Sequence, residues 1–389
     1  MAEAAGVSAG GERAGAERIM SLDVMRGIVM VLMAIDHVRV YAAVPAGGPA
    51  PGVFFTRWIT HFVAPWFCFL AGTGAFLHGR KLGDMRALSR YLALRGALLV
   101  LLELTILRVS WTFNLDFANY NIAGVIWMLG WCMVMLAALV RLPVKVVGWG
   151  GVAMIALQQV FQPITSALPQ WLASILYQGG ETRLGPGGPP LLILYVLIPW
   201  IGVMAAGYGF GALLTRPPDA RRRLFLRAGL GMTAVFIVVA TLAAVMRPGD
   251  GQVPLFARIL GQQKYPPSQL FLLMTLGPMI ALLPWAEQVS GKVRDVLSTF
   301  GRVPMFYYLL HIPLIHALAL VVSLVREGRV DTWLFSNFPL APPAAPAGYR
   351  WSLALLYLVW LIAVALLYVP CRWYARVKSR SPQGWLRYL

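Results

Sequence analysis

The apolar residues of this chain gather into runs that reach or approach the roughly 20 residues a helix needs to cross about 30 Å of hydrocarbon. No other feature narrows the fold so far. Hydrophobic side chains make up 59% of the 389 residues and charged ones 12%, well under the roughly one-quarter charged content of a soluble domain. Where water is absent, each backbone N–H and C=O must bond within its own segment, so each run should be helical. The runs lie near 20–43, 55–77, 91–109, 122–140, 144–161, 189–214, 224–246, 267–286, 297–325 and 352–374. The fifth ends among Gln158, Gln159 and Gln162, and only the short turn from Arg141 to Lys145 parts it from the fourth. The expected fold class is all-α, a polytopic integral membrane helix bundle with about ten transmembrane helices.

Cytoplasmic loops carry the Lys and Arg excess, and here the basic residues fall mostly on one side. They are Arg13, Arg18 and Arg26; Arg80, Lys81, Arg86, Arg90 and Arg95; Arg141 and Lys145; Arg216, Arg221, Arg222, Arg223 and Arg227; Lys292, Arg294 and Arg302; and Arg372, Arg376, Lys378, Arg380 and Arg387. Both termini are therefore expected in the cytoplasm. The net charge of +18 then reflects span ends that meet anionic headgroups, each worth on the order of 1 kcal/mol. Charge dispersed over short interhelical loops argues against a nucleic-acid partner. Residues 1–17, rich in Ala, Gly and Glu, read as a disordered cytoplasmic tail, 18–376 as a single transmembrane domain, and 377–389 as a basic cytoplasmic tail. The first run is too polar at its core, with Asp36, His37 and Arg39, to be a cleaved signal peptide. Cys68, Cys132 and Cys371 have no metal or redox spacing and read as packing residues.

Ionisable residues at depth are costly and mark function or a partner. In MSLDVMRGIVMVLMAIDHVRV, Arg26 and His37 lie eleven residues apart, three turns plus about 20° with roughly 16 Å of rise, so one face carries a cation at one end and an imidazole at the other. Such a track suits the phosphates and pantetheine thioester of coenzyme A. The alternative is structural: Arg26 pairs with Asp23 at i,i+3, and His37 caps the helix beside an Asp36–Arg39 pair. Adjacent residues diverge on a helix, so an orienting carboxylate for His37 is expected from another helix rather than from Asp36. Arg57 and His61 share a face at i,i+4 in the second run, and Glu103 in the third should face the bundle. Asn114, Asp116, Asn119, Tyr120 and Asn121 form a polar segment suited to sugar hydroxyls or to a surface turn. His311 and His316 stand about 140° apart on a wheel, which leaves one of them to face a reaction site and makes no metal pair. No metal is expected, because no HExxH pattern or carboxylate cluster accompanies the imidazoles.

Four blocks carry a resemblance: RIMSLDVMRGIVMVLMAIDH, RWITHFVAPWFCFLAGTGAFL, KYPPSQLFLLMTLGP and FGRVPMFYYLLHIPLIH, which together span residues 18 to 320. In this order they resemble the bacterial branch of the heparan-α-glucosaminide N-acetyltransferase catalytic-domain family. The spacing of Arg26 and His37 also resembles the first-helix motif of the acyltransferase-three O-acyltransferases. The resemblance implies a membrane acyltransferase that takes acetyl-CoA, as acyl donor, from the cytoplasm and modifies an amino or hydroxyl group of a sugar or glycan on the opposite side, in a bacterial inner membrane. The animal enzymes carry Asn where His37 stands, a catalytic His near Pro51, and Asp where His61 stands. Proline cannot do that work, so His37 or His61 takes it, or the chemistry differs.

The expected catalytic set is His37 as general base with His61 and Asp36, while Arg26 holds the coenzyme A phosphate. Arg57, Glu103, Asn114, Asp116, His311 and His316 are the candidate substrate-binding residues. Direct transfer and an acyl-histidine relay both fit these residues. The rival reading is a secondary transporter with Arg26, His37, His61 and Glu103 along its pathway. The oligomeric state is left open, a homodimer included.

Overall fold

The computed structural model describes residues 19–380 apart from 184, 186, 248–252 and 338–343. The expected tail 1–17 lies outside the described residues, as does 381–389 of the basic tail. Residues 377–380 instead continue the final helix.

Twelve helices organise the described residues: α1 (Met20–Tyr41), α2 (Pro51–Leu82), α3 (Met85–Leu102), α4 (Val125–Leu139), α5 (Val144–Ala156), α6 (Trp200–Gly211), α7 (Pro218–Met246), α8 (Leu255–Leu260), α9 (Gln269–Ala286), α10 (Gly291–Arg302), α11 (Pro304–Glu327) and α12 (Leu353–Arg380). Short helical turns fill 158–178, and α3 runs on through a π turn, Glu103–Leu107, into Arg108–Thr112. Among the described residues five helices are long and apolar enough to cross a membrane, namely α2, α7, α9, α11 and α12; a sixth results if α5 and the turn after it, bent by 68°, make one span. The bend falls at the glutamines that crowd the end of the fifth run. Of the other expected spans, α1 and α3 are long but carry three or more charges each, and α4 and the helix that begins with α6 are apolar but short. Length and composition alone thus support fewer crossings than the ten expected.

Two runs differ from their sequence reading for reasons of proline chemistry. The run at 189–214 does not begin as helix: Pro189, Pro190 and Pro199 lack the N–H a helix interior needs, and the helix starts only at Trp200. Pro190–Ile193 forms a strand instead. This strand, β3, pairs in parallel with β1 (Ile122–Ala123) and antiparallel with β2 (Gly180–Arg183), with Leu192 opposite Ile122 on one side and Glu181 on the other. The all-α expectation therefore needs a small three-stranded sheet added, of order β1-β3-β2. In the run at 297–325 the helix breaks at Val303, and Pro304 starts α11 at a position where its missing N–H costs nothing. The residues before the break belong to α10, an amphipathic helix laid against α1.

Helix crossings are made at small residues, as expected where lipid offers no hydrophobic drive for association. A Cβ on Gly72 of α2 would come within 1.9 Å of the Met204 carbonyl oxygen of α6, and one on Gly207 of α6 within 2.1 Å of the Phe69 carbonyl oxygen of α2. Gly96 and Gly130 join α3 to α4 in the same reciprocal way, and Gly27 and Gly301 join α1 to α10. The most apolar windows of α7 and α12 are each only 22% buried, against 67% for α2. The first two are thus peripheral, with Val238, Val245, Leu358 and Val369 exposed on faces suited to lipid.

Neighbouring glycines of α2 give a test of this packing. Gly72→Ala should destabilise the protein by at least about 1–3 kcal/mol, because backbone atoms of α6 must yield. Gly74→Ala, where nothing lies within 4 Å of the new methyl, should be neutral or gain up to about 1 kcal/mol of helix propensity. Thermal unfolding in detergent compares the two.

Candidate active site

His37 lies in the last turns of α1, and α11 supplies its partner. The His37 Nδ1 to His311 Nε2 distance is 2.6 Å, and the rings stack with centroids 4.7 Å apart. The other ring nitrogen of His311 faces two carbonyl oxygens, Tyr308 O at 2.7 Å and Tyr307 O at 3.2 Å. A carbonyl can only accept, so His311 Nδ1 carries a proton and, in the neutral ring, Nε2 carries a lone pair. His37 Nδ1–H must then donate to His311. One inference follows: the neutral His37 ring keeps its own lone pair on Nε2, for which the described residues hold no hydrogen-bond partner. Trp111 edges the ring at 4.9 Å and Tyr308 at 6.3 Å, and these contacts fix its plane.

The orienting group on another helix is therefore a histidine rather than a carboxylate. Asp36 is engaged elsewhere, accepting from Arg39 Nε at 2.8 Å and from Arg57 Nη1 at 2.6 Å. Arg57 also donates to Thr60 Oγ1 at 3.3 Å and to the Tyr265 hydroxyl at 3.4 Å, and that hydroxyl meets Tyr195 at 3.5 Å. Arg57 and His61 do not act as the i,i+4 pair that ideal α-geometry predicts. Ile59–Phe62 is wound as a 3₁₀ turn, whose tighter pitch swings each successive side chain about 20° further round. His61 consequently turns to Phe271 of α9, ring to ring at 5.5 Å, with Nδ1 buried and without a partner.

A cavity of about 30 Å³ adjoins His37, lined also by Met33, Asp36, Thr60, Val63, Ala64, Val125, Tyr195 and Lys264. Lys264, Tyr265 and Tyr195 are absent from the expected set, although KYPP opens one of the blocks that carries the resemblance. Lys264 sits in the connection between α8 and α9 and is buried. Burial pushes the Tyr265 hydroxyl up, but the Lys264 ammonium and the Arg57 guanidinium outweigh it and bring it down to about 8.

Glu103 faces inward, as expected, and points its carboxylate at the amino end of α4, against the backbone N–H groups of Ile126, Gly124 and Trp127. A carboxyl oxygen suits the free N–H groups of a helix N-terminus, and Val125 beside it lines the cavity, so Glu103 fixes one wall of the site. Arg26, at the far end of α1, donates from Nη1 to Asp23 at 3.1 Å and to the Gly301 carbonyl at 3.1 Å, with 21% of its side chain exposed. Met30 and Met33, between Arg26 and His37, are packed in the core.

Three candidates are held apart from the cavity. His316 has Nδ1 at 3.2 Å from Ser110 O and Nε2 at 2.8 Å from Leu334 O, and its ring lies between Phe113 and Tyr41. Asn114 takes a bond from Arg108 Nη1 at 2.7 Å and gives one to Phe335 O at 2.8 Å. Asp116 accepts from Asn119 and Asn337, and these bonds, the one from Asn337 above all, hold its carboxyl below the usual range. The polar segment is thereby tied into a turn. Among the described residues no group of three or more metal-ligating side chains converges.

What the cavity offers is a neutral imidazole with a fixed tautomer, beside a carboxylate saturated by two guanidinium groups and a buried ammonium. Such an imidazole can take a proton from a reacting group and return it. A sequence model of the family described as heparan-alpha-glucosaminide N-acetyltransferase, catalytic, matches residues 18–244, more than half of the chain. Asp36, His37, Arg57 and His61 fall within the match, while Lys264 and His311 lie beyond it. A search of curated proteins returns no match.

The tautomer can be read directly. In protein labelled with ¹⁵N-histidine, His37 should give a protonated Nδ1 and an unprotonated Nε2. His311→Phe, which keeps an aromatic ring but removes the acceptor, should abolish that preference.

Proposed function

The chain belongs to the heparan-alpha-glucosaminide N-acetyltransferase catalytic family and is by that membership a membrane acetyltransferase; from this premise we propose that it moves an acetyl group from acetyl-CoA to an amino or hydroxyl group of a sugar or glycan. The observation that carries the reading is the His37–His311 pair, which leaves a lone pair on Nε2 of an imidazole inside an apolar bundle. His37 Nε2 accepts the proton of the acceptor N–H or O–H as its nitrogen or oxygen bonds to the thioester carbon. The carbonyl pair moves onto oxygen, then re-forms C=O as the C–S bond breaks. The leaving thiolate takes the proton back from His37, giving the acetylated acceptor and free coenzyme A. His311 keeps Nδ1 of His37 occupied as donor throughout, so that proton traffic is confined to Nε2.

The basic end of α1 faces the cytoplasm in this reading, with both termini on that side, about ten crossings and the acceptor on the other side of a bacterial inner membrane. Its support is the bias of Lys and Arg to one set of connections. Arg26 binds the phosphates of coenzyme A, aided by the share of its side chain that stays exposed. The cavity at His37 has room for about one or two waters and none for a thioester, so it must open before the two reactants meet.

Two measurements bear on this reading. Acetyl-CoA should bind the purified protein in detergent with low-micromolar affinity, a value typical of enzyme substrates, where KM runs from about 1 μM to 1 mM, and Arg26→Ala should weaken it. Absence of binding by well-folded protein would remove the donor. His37→Ala should cut acetyl transfer by about 10²–10⁴-fold without unfolding the bundle; transfer retained by that variant would strike His37 from the mechanism.

A further inference from the structure

We propose that Lys264 is a catalytic residue of this site: its ammonium donates a hydrogen bond to the thioester carbonyl oxygen as that oxygen turns into an oxyanion during transfer at His37. The inference rests on the acetyltransferase reading above and adds a residue to which neither the family match nor the first helix points.

Charge balance supplies the first argument. Three cations, Arg39, Arg57 and Lys264, surround one carboxylate, Asp36, and that carboxylate accepts from both guanidinium groups. Lys264 forms no ion pair among the described residues, yet it is buried and lines the same cavity as His37. Aromatic faces hold it instead: Nζ lies 5.6 Å from the ring centre of Tyr195 and 5.2 Å from that of Tyr265, two rings set at 87° to each other. A ring quadrupole positions a cation without cancelling its charge. Burying an ammonium without an ion-pair partner of its own is costly, and the two rings, the Tyr265 hydroxyl and the shared Asp36 carboxylate offset that cost only in part, since burial still draws Lys264 below the usual lysine range. A negative charge that exists only in the transition state would offset the rest, and an interaction made only then is the kind that raises kcat.

The second argument is geometric. A thioester must present its carbonyl carbon to the attacking group and its carbonyl oxygen to a donor, and Lys264 and His37 line one small cavity. Arg57, the other candidate for this task, is already tied to Asp36, Thr60 and Tyr265. The backbone around Lys264 is pinned by its bridge to Pro267 and by the bond from Ser268 N to Gln263 O at 3.0 Å, so the ammonium does not depend on a free loop. Burial draws Lys264 below the usual lysine range, while the adjacent Tyr265 hydroxyl holds it up.

The test uses the full chain in detergent, with acetyl-CoA as donor, glucosamine and glucose as probe acceptors, and thiol release as the readout. Lys264→Met should lower kcat by about 10²–10³-fold, with acetyl-CoA affinity by calorimetry kept within about threefold. Lys264→Arg, which keeps the charge, should fall less than Lys264→Gln, and Gln less than Met. A Met variant with kcat near native would overturn the assignment and leave the acetyltransferase reading intact. So would equal losses in Arg and Met, the mark of packing alone, or a Met variant that loses acetyl-CoA affinity instead of kcat, the mark of a ground-state contact. Native protein that binds acetyl-CoA but releases no thiol with either probe would overturn both.

Discussion

Backbone-to-backbone contact between helices is the constraint from which the rest of this structure follows. Lipid tails are as apolar as leucine, so helices in a bilayer gain little from burying side chains against each other and must gain from closeness instead. Glycine supplies that closeness at Gly72 and Gly207, Gly96 and Gly130, and Gly27 and Gly301, where a single methyl group would collide with a carbonyl of the neighbouring helix. The Gly27 contact sets α1 against α10 at one end of α1. At its other end the polar groups take over, and their geometry is only as good as the packing beneath them.

Around His37 the polar groups separate into two sets. One is engaged: Asp36 with Arg39 and Arg57, and Glu103, through one of its two oxygens, with the amino end of α4. These hold three separate stretches of backbone in register. The other set is incomplete: His37 and Lys264 both line the cavity, His37 with no bond to Nε2 among the described residues and Lys264 with no ion pair of its own. A basic nitrogen and a cation in one small apolar space would be a poor device for stability. They are a good one for a reaction in which a proton leaves one atom while charge gathers on another.

Much of this was legible in the sequence, and the failures have physical causes. The central part played by α1, the inward direction of Glu103 and the packing of the three cysteines can be read from hydropathy and the cost of charge at depth; all three cysteines are indeed buried. The His37–His311 contact could not, since it joins residues 274 apart and periodicity speaks only within a helix. The wheel angle between His311 and His316 separates them but cannot say which one meets His37, since both are buried. Arg57 and His61 were paired on the assumption of uniform α-geometry, and a four-residue 3₁₀ turn broke it. Lys264 carries no signal of burial, because apolar runs mark depth only within spans, whereas a connection that folds back into the bundle can be as buried as any span. The polar segment around Asn114 suits a surface turn better than a sugar-binding surface by its sequence, and the bonds from Arg108 and Asn337 favour the turn.

The distance along the chain between the two imidazoles also has a consequence for how the protein is made. A ribosome adds roughly 5–20 residues each second, so His37 enters the translocation machinery on the order of a quarter to nearly a full minute before His311 is synthesised, and Lys264 arrives late in the same interval. Through that period the first helix has its histidine but neither the group that selects its tautomer nor the cation opposite. The pocket around His37 is therefore assembled only with the insertion of the penultimate long helix.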